Sequence, residues 1–236
     1  KDYASYDIAL QAATKLGQPE VVKNIHQQAL KNITVIPDSF FTRIIGSYGA
    51  LKMVPQALAT FEQLANKNSF AFTAVIKTLA ATDYQAALEM LQRMSAESTV
   101  TEDAYEAMLK HAPTLEAGKQ LHKEIREKPF ARDRVMTNAL IDMFVRFKDT
   151  DAAEKTLNTA SKANQWNYHN MISAFVEAKQ YDSAKQHWNE MLAKNITPLS
   201  STYFEVLNAC DKPEDEPIIE QVIELNKDNM TAQLTT

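Results

Sequence analysis

The sequence predicts an all-α fold, a solenoid of about seven helical hairpins, on three observations. A small or apolar residue is followed four and seven positions later by apolar or aromatic partners, and the leading residues recur 35, 30, 31, 35, 31 and 34 positions apart. That i, i+4, i+7 spacing marks one face of an α-helix. A second helical stripe, an aromatic or small residue with aliphatics three and four positions on, lies about thirteen residues upstream of each. Finally, only 4 of 236 residues are glycine, where about 7% is usual, so hairpin turns of β-structure have little to draw on. A helical hairpin cannot bury its apolar face alone, so repeated hairpins must stack.

The first unit, 3–37, carries Tyr6, Ala9 and Leu10 on one helix and Val22, His26 and Ala29 on the next, joined at Gly17-Gln18-Pro19-Glu20. In 38–68 the stripes are Phe41, Ile44, Ile45 and Ala57, Phe61, Leu64. In 69–101 they are Phe72, Val75, Ile76 and Ala87, Leu91, Met94, with Thr82-Asp83 as the N-cap signal between them. The fourth unit, 102–133, holds Tyr105, Met108, Leu109 and Gly118, His122, Ile125, and Lys128-Pro129 stops it. Unit 134–164 has Thr137, Leu140, Ile141 and Ala153, Leu157, Ala160, with Asp149-Thr150-Asp151 opening its second helix. Unit 165–199 has Tyr168, Met171, Ile172 and Ala184, Trp188, Met191; Asp182-Ser183 reads as its second N-cap and Asn195-Ile196-Thr197-Pro198 as its stop. The seventh, 200–233, has Tyr203, Val206, Leu207 and Ile218, Val222, Leu225. Ala57, Ala87, Ala153 and Ala184 are expected at tight helix crossings.

Several function classes are disfavoured. Four glycines leave little for phosphate-cradling loops or dinucleotide fingerprints. One cysteine, Cys210, permits neither an intramolecular disulfide nor a Cys-rich zinc site. No run of about 18 apolar residues occurs, so no membrane insertion is expected. The five histidines, His26, His111, His122, His169 and His187, form no His-Glu-x-x-His pattern. His26 and His122 share one slot on the apolar stripe and are expected to be packed and hydrogen-bonded. His122-Lys123-Glu124 lacks the Pro-Cys-x-x-Cys that a zinc deaminase site needs. Gly46-Ser47-Tyr48-Gly49 is not a nucleophile elbow. No enzyme, cofactor or metal is expected in this segment.

The units differ in length, and their order repeats: the first, fourth and seventh resemble one another, with starts 99 and 98 residues apart. Asp133-Arg134-Val135-Met136-Thr137-Asn138-Ala139-Leu140-Ile141-Asp142-Met143-Phe144 resembles the short-motif opening of the pentatricopeptide repeat family. Leu115-Glu116-Ala117-Gly118-Lys119-Gln120-Leu121-His122 is similar to its long-motif second helix, and Tyr168 through Leu199 to its standard motif. The likeness is to the subclass that alternates long, short and standard motifs. It implies a right-handed superhelical solenoid, with 1–236 as a single array. The chain opens Lys1-Asp2-Tyr3 without an initiator Met and reads as a segment of a longer or processed protein.

The resemblance also implies a partner, single-stranded RNA, with one base per hairpin. In that family the fifth residue of the first helix and the last residue of the unit meet the base edge. Carried over, these are Thr42 with Asn68, Thr73 with Thr101, Asn138 with Asn164, and His169 with Leu199. The family's pairing rules make Thr42 with Asn68 an adenine reader and Asn138 with Asn164 a pyrimidine reader. Asn138 is expected as an exposed first-turn position. The second residue of a unit sandwiches the base, which implies Phe70, Val135 and Trp166. The long units offer Asp7 with Asp38 and Glu106 with Asp133, poor readers of a polyanion's bases. Mitochondria or chloroplasts, and roles in RNA processing, stability or editing, follow from the resemblance alone.

Charge opens an alternative. The chain carries 25 basic and 30 acidic side chains, net −5, whereas nucleic-acid affinity is dominated by phosphate neutralisation. The slots eight residues beyond the fifth position hold Lys15, Ala50, Ala81, Arg146 and Glu177, not a basic stripe. A scaffold held by protein partners, such as a subunit of an organellar ribosome or another large complex, is the second reading.

Overall fold

The computed structural model describes residues 3–160 and 163–234, and the chain ends at 1–2 and 235–236 lie outside them. Among the described residues there are fourteen α-helices and no strand. They fall into two compact units, Lys1–Pro113 and Thr114–Thr236. The first contains α1 (Tyr3–Lys15), α2 (Pro19–Asn32), α3 (Asp38–Ala50), α4 (Val54–Gln63), α5 (Ser69–Ala80), α6 (Tyr84–Glu97) and α7 (Glu102–Lys110). The second contains α8 (Leu115–Ile125), α9 (Arg134–Arg146), α10 (Thr150–Thr159), α11 (Gln165–Glu177), α12 (Tyr181–Ala193), α13 (Ser200–Asn208) and α14 (Glu216–Leu234).

In the first unit α1, α3, α5 and α7 pack side by side, and α2, α4 and α6 each pack on their own hairpin partner and on the helix that follows. The second unit repeats the plan: α9, α11 and α13 pack in series, α10 and α12 bridge them, α8 lies on α9 and α14 on α13. Most of the stripes become the core, but Ala9 and Leu207 are exposed, and Phe41 is half-buried while its neighbour Phe40 is buried instead. Leu10, Ile44, Ile45, Val75, Ile76, Ile141, Met171, Ile172 and Val206 from the first helices of the hairpins are fully buried. So are Ala57, Ala87, Ala153 and Ala184 on the second helices. Phe61 and Phe72 meet edge-to-face at 5.0 Å, and Trp188 and Tyr203 at 5.9 Å.

The turns inside the hairpins explain how so few glycines suffice. The residue after the helix is left-handed at Gly17 (φ 65°), but also at Lys52 (58°), Lys148 (59°) and Lys179 (58°), and Asn195 does the same after α12 (55°). Each is followed by a Schellman bond: Gln18, Met53, Asp149, Gln180 and Ile196 donate their N–H to the carbonyls of Ala13, Tyr48, Phe144, Phe175 and Met191 at 2.8–3.1 Å. Lysine thus fills a position that glycine would occupy without strain.

This turn corrects the N-cap expected at Asp182-Ser183. Because Lys179 and the Gln180 bond fix the chain, α12 begins at Tyr181 with Gln180 as N-cap. Asp182 stands in the first turn instead, 3.3 Å from Lys185 and 3.5 Å from Lys212. Asp83 and Asp149 do cap, accepting from Ala86 N and Ala152 N at 3.0 and 3.2 Å. Ahead of α14, Pro213–Asp215 forms a short 3-10 turn, and Asp215 accepts from Lys185 Nζ at 2.8 Å with both side chains buried.

Candidate nucleic-acid interface

The residues singled out by position lie where the odd-numbered helices α3, α5, α7, α9, α11 and α13 begin. Asn68, Thr101 and Asn164 are N-caps of α5, α7 and α11, accepting from Ala71 N (3.0 Å), Ala104 N (3.2 Å), and Trp166 N and Asn167 N (2.9 and 3.3 Å). Capping is therefore one function of each. It also locks the side chain, so its remaining polar atom points in a defined direction.

Two of the four pairs touch. Thr73 Oγ1 and Thr101 Oγ1 are 2.8 Å apart, while Thr73 Oγ1 also reaches the Ser69 carbonyl at 2.7 Å. With two hydroxyl protons used in that chain of bonds, the pair presents oxygen lone pairs outward. Asn164 Nδ2 donates to Asn138 Oδ1 at 3.1 Å. Thr42 and Asn68 are not hydrogen-bonded to each other. Thr42 donates to the Asp38 carbonyl at 3.0 Å, and Asn68, its Oδ1 used by the cap, keeps its Nδ2 donors. His169 faces Thr202 Oγ1 at 3.2 Å and Ser201 Oγ at 3.4 Å, and Leu199, the N-cap of α13, adds no side-chain bond.

Asn138 corrects the expectation of an exposed, tolerant position. It is half-buried, and its Oδ1 accepts a second bond, 2.7 Å, from Asn167 Nδ2. Asn167 is buried and was not among the residues the sequence singled out. The signal available was its place three residues after the Asn164 cap, the second half of a capping box.

Phe70 and Trp166, each the second residue of its helix, are 72% and 54% exposed. Both rings thus present more than half of their surface to water. Val135, at the same place on α9, is half-buried.

Cations here are mostly paired. Arg43 is bonded to Asp7, whose side chain is largely buried, and Lys77 Nζ lies 2.8 Å from Asp103 Oδ2. Arg146 stacks over the Phe147 ring at 5.0 Å. Of the stripe histidines, His26 is packed and hydrogen-bonded, its Nδ1 3.0 Å from the Tyr48 hydroxyl, whereas the half-buried His122 meets Phe144 edge-to-face at 5.5 Å without a side-chain hydrogen bond among the described residues. Burial holds both imidazoles below the usual histidine range, and Arg126 adds to the effect at His122. Among the described residues no group of three or more His, Cys, Asp or Glu is placed to hold a metal. No described helix is long and apolar enough to cross a membrane.

Residues 166–196 match the family model for the PPR repeat. A mitochondrial pentatricopeptide repeat-containing protein of Arabidopsis thaliana is 23% identical over 194 residues, covering 80% of this chain and 25% of the relative. A chloroplastic one from the same plant is 22% identical over 214 residues, covering 89% and 25%. Residues 166–196 thus carry the PPR repeat pattern, and most of the chain is similar to pentatricopeptide repeat proteins. The chain spans about a quarter of the length of these pentatricopeptide relatives. The crystal structure of the pentatricopeptide repeat protein PPR10 from maize matches with a TM-score of 0.65 at 16% identity, covering 89% of this chain and 32% of that one. PPR10 in complex with an 18-nucleotide psaJ RNA element matches at 0.64 and 18%, covering 94% and 32%. The fold shared with PPR10 is the all-α superhelical repeat fold.

Proposed function

We propose that this segment binds single-stranded RNA, one base per hairpin, through side chains at the N-terminal ends of its first helices. The observation that carries the reading is the pairing of fifth and last residues beside an exposed aromatic. Asn138 with Asn164, and Thr73 with Thr101, are each in hydrogen-bond contact. Phe70 and Trp166 offer ring faces beside the caps Asn68 and Asn164. Stacking on such a face holds any base, and the paired polar atoms distinguish its edge. In this reading Thr42 with Asn68 combines a lone-pair acceptor with amide donors, matching adenine's N6–H and N1. Asn138 with Asn164 reads a pyrimidine, and the acidic long units read nothing. Membership of the subclass alternating long, short and standard motifs, residence in a mitochondrion or chloroplast, and a role in RNA processing, stability or editing belong to the same proposal.

One observation favours a second reading, a protein-bound scaffold: net charge is −5, and Arg43 and Lys77 are already neutralised by Asp7 and Asp103. Titrating the chain with random-sequence single-stranded RNA at low salt decides between them. Binding that weakens with added salt supports the RNA reading; a folded chain that binds none supports the scaffold.

A further inference from the structure

We infer that Asn167 is a specificity-positioning residue: it fixes the amide of Asn138 so that the fifth repeat presents hydrogen-bond donors, and no acceptor, to its base. The inference rests on the RNA-binding reading above, and its geometry is set by two sets of backbone N–H groups.

The Asn164 N–H lies 3.0 Å from Asn167 Oδ1. A backbone N–H only donates, so that side-chain atom must be the carbonyl oxygen, and the amide nitrogen of Asn167 is the atom 2.7 Å from Asn138. The facing atom of Asn138 must then accept, which makes it Oδ1. Independently, the N–H groups of Trp166 and Asn167 fix Asn164 Oδ1, so Asn164 turns its Nδ2 toward the same Asn138 oxygen at 3.1 Å. Three amides are thus oriented by backbone donors, with no alternative flip that keeps the bonds. The Asn138 oxygen holds two donors and the Asn164 oxygen two more. What remains is the Asn138 NH2 and one Asn164 N–H.

A donor-only site complements a base edge with adjacent acceptors. Cytosine offers N3 and O2 side by side, whereas uracil places an N3–H between its two carbonyls, facing donor with donor. Asn167 is buried and touches no base itself; it acts by holding the Asn138 oxygen away from the RNA.

The test is Asn167→Asp. A carboxylate at this position still accepts from the Asn164 N–H and suits a helix N-terminus, so the cap survives. It can no longer donate to Asn138, whose amide is expected to turn over and show its oxygen to the base. Parent and variant are each used to select from an RNA library randomised at every position, so the register need not be known. The expected result is one column of the selected sequences moving from cytosine towards uracil, by on the order of tenfold in the C:U ratio, with other columns unchanged. Asn167→Ala, which removes one of the two donors, should narrow the same ratio without inverting it. Thermal melts establish that both variants are folded. If the parent selects RNA and the folded Asp variant keeps the same C:U ratio, the assignment is overturned while RNA binding stands. If the parent selects no RNA, the RNA reading itself fails and the assignment with it.

Discussion

The Thr78 side chain occupies the space in which a Cβ on Gly49 would have to stand. Built onto Gly49, that atom would sit 3.1 Å from Thr78 Cβ and closer still to its hydroxyl, which is tied to the Ala74 carbonyl at 2.8 Å. Gly49 thus lets α3 sit against Thr78 of α5 with no room for a side chain. In a helix Ala is favoured over Gly by about 1 kcal/mol, but overpacking of this kind costs about 1–3 kcal/mol. Gly49→Ala is expected to destabilise the protein. Thr78→Ala made alongside should recover most of the loss, giving a measurable coupling in a double-mutant cycle by urea unfolding. Additive effects would show that the contact is not what limits position 49.

A gain of stability is expected at the three lysine turns. Lys52, Lys148 and Lys179 hold φ near 58–59°, a region that costs a side-chain-bearing residue about 1–2 kcal/mol. Glycine avoids the strain but loses more freedom on folding. Each Lys→Gly change should therefore stabilise by roughly 0.5–1 kcal/mol, with Gly17→Ala moving the other way. Urea midpoints of the four variants check the sign. Unaltered midpoints in all three lysine variants would mean that the left-handed turn carries no strain.

How much was legible in the sequence follows from such residues. Apolar stripes reach the page directly because burial acts on every turn of a helix, so Ala57 or Ile172 could be placed from spacing alone. A left-handed lysine leaves no such trace, since the Schellman bonds that impose it depend on backbone geometry and not on residue type. The interface divides similarly. Phe70 and Trp166 could be named because the family resemblance points to the second residue of each unit. Asn167 could not, because its role comes from a bond to a residue 29 positions earlier, which only the stacking of α11 on α9 creates.

Lowering pH should weaken the fold first through two histidines. Burial holds His26 and His122 below their ordinary value of 6.5, so the folded state prefers them neutral. As pH falls through about 6.5 the unfolded chain binds these protons more readily, and stability declines towards the lower folded values. Glu62 and Asp149 are held low by Arg93 and Lys119, so their contribution is lost only at more acidic pH. Melting temperature is expected to fall between pH 7 and 5, and His26→Gln should flatten that slope. A variant with the parent's slope would assign the loss elsewhere.

Removing the exposed rings should cost RNA affinity more than stability. Phe70 is 72% exposed and Trp166 54%, and base stacking on an aromatic contributes about 1–3 kcal/mol per base. Trp166→Ala and Phe70→Ala should each weaken RNA binding by that amount. The melting temperature should be nearly unchanged for Phe70→Ala and lowered for Trp166→Ala, whose ring is nearly half buried. Val135→Ala, at a half-buried aliphatic, should weaken RNA binding less. Filter binding beside thermal melts separates the two effects, and equal affinity for parent and both aromatic variants would remove these residues from the interface.

The carboxylates decide how strongly the groups beside the readers attract a polyanion. Asp7 and Asp103 are on α1 and α7 and hold Arg43 and Lys77, cations of α3 and α5. Any phosphate near these cations competes with a partner already in place. Asp103→Asn removes one negative charge and leaves Lys77 half-exposed and unpaired, so RNA affinity should rise and the slope of log K against log salt should steepen by about 0.7 for each phosphate gained on a single strand. Asp7→Asn should act in the same sense through the half-exposed Arg43, though changing the largely buried Asp7 side chain also costs stability. Under the scaffold reading neither change alters RNA binding, because no phosphate approaches this edge. A salt titration of parent and Asp103→Asn therefore tests the electrostatic half of the interface independently of its base-reading half: an unchanged slope with RNA bound would place the phosphates away from Lys77.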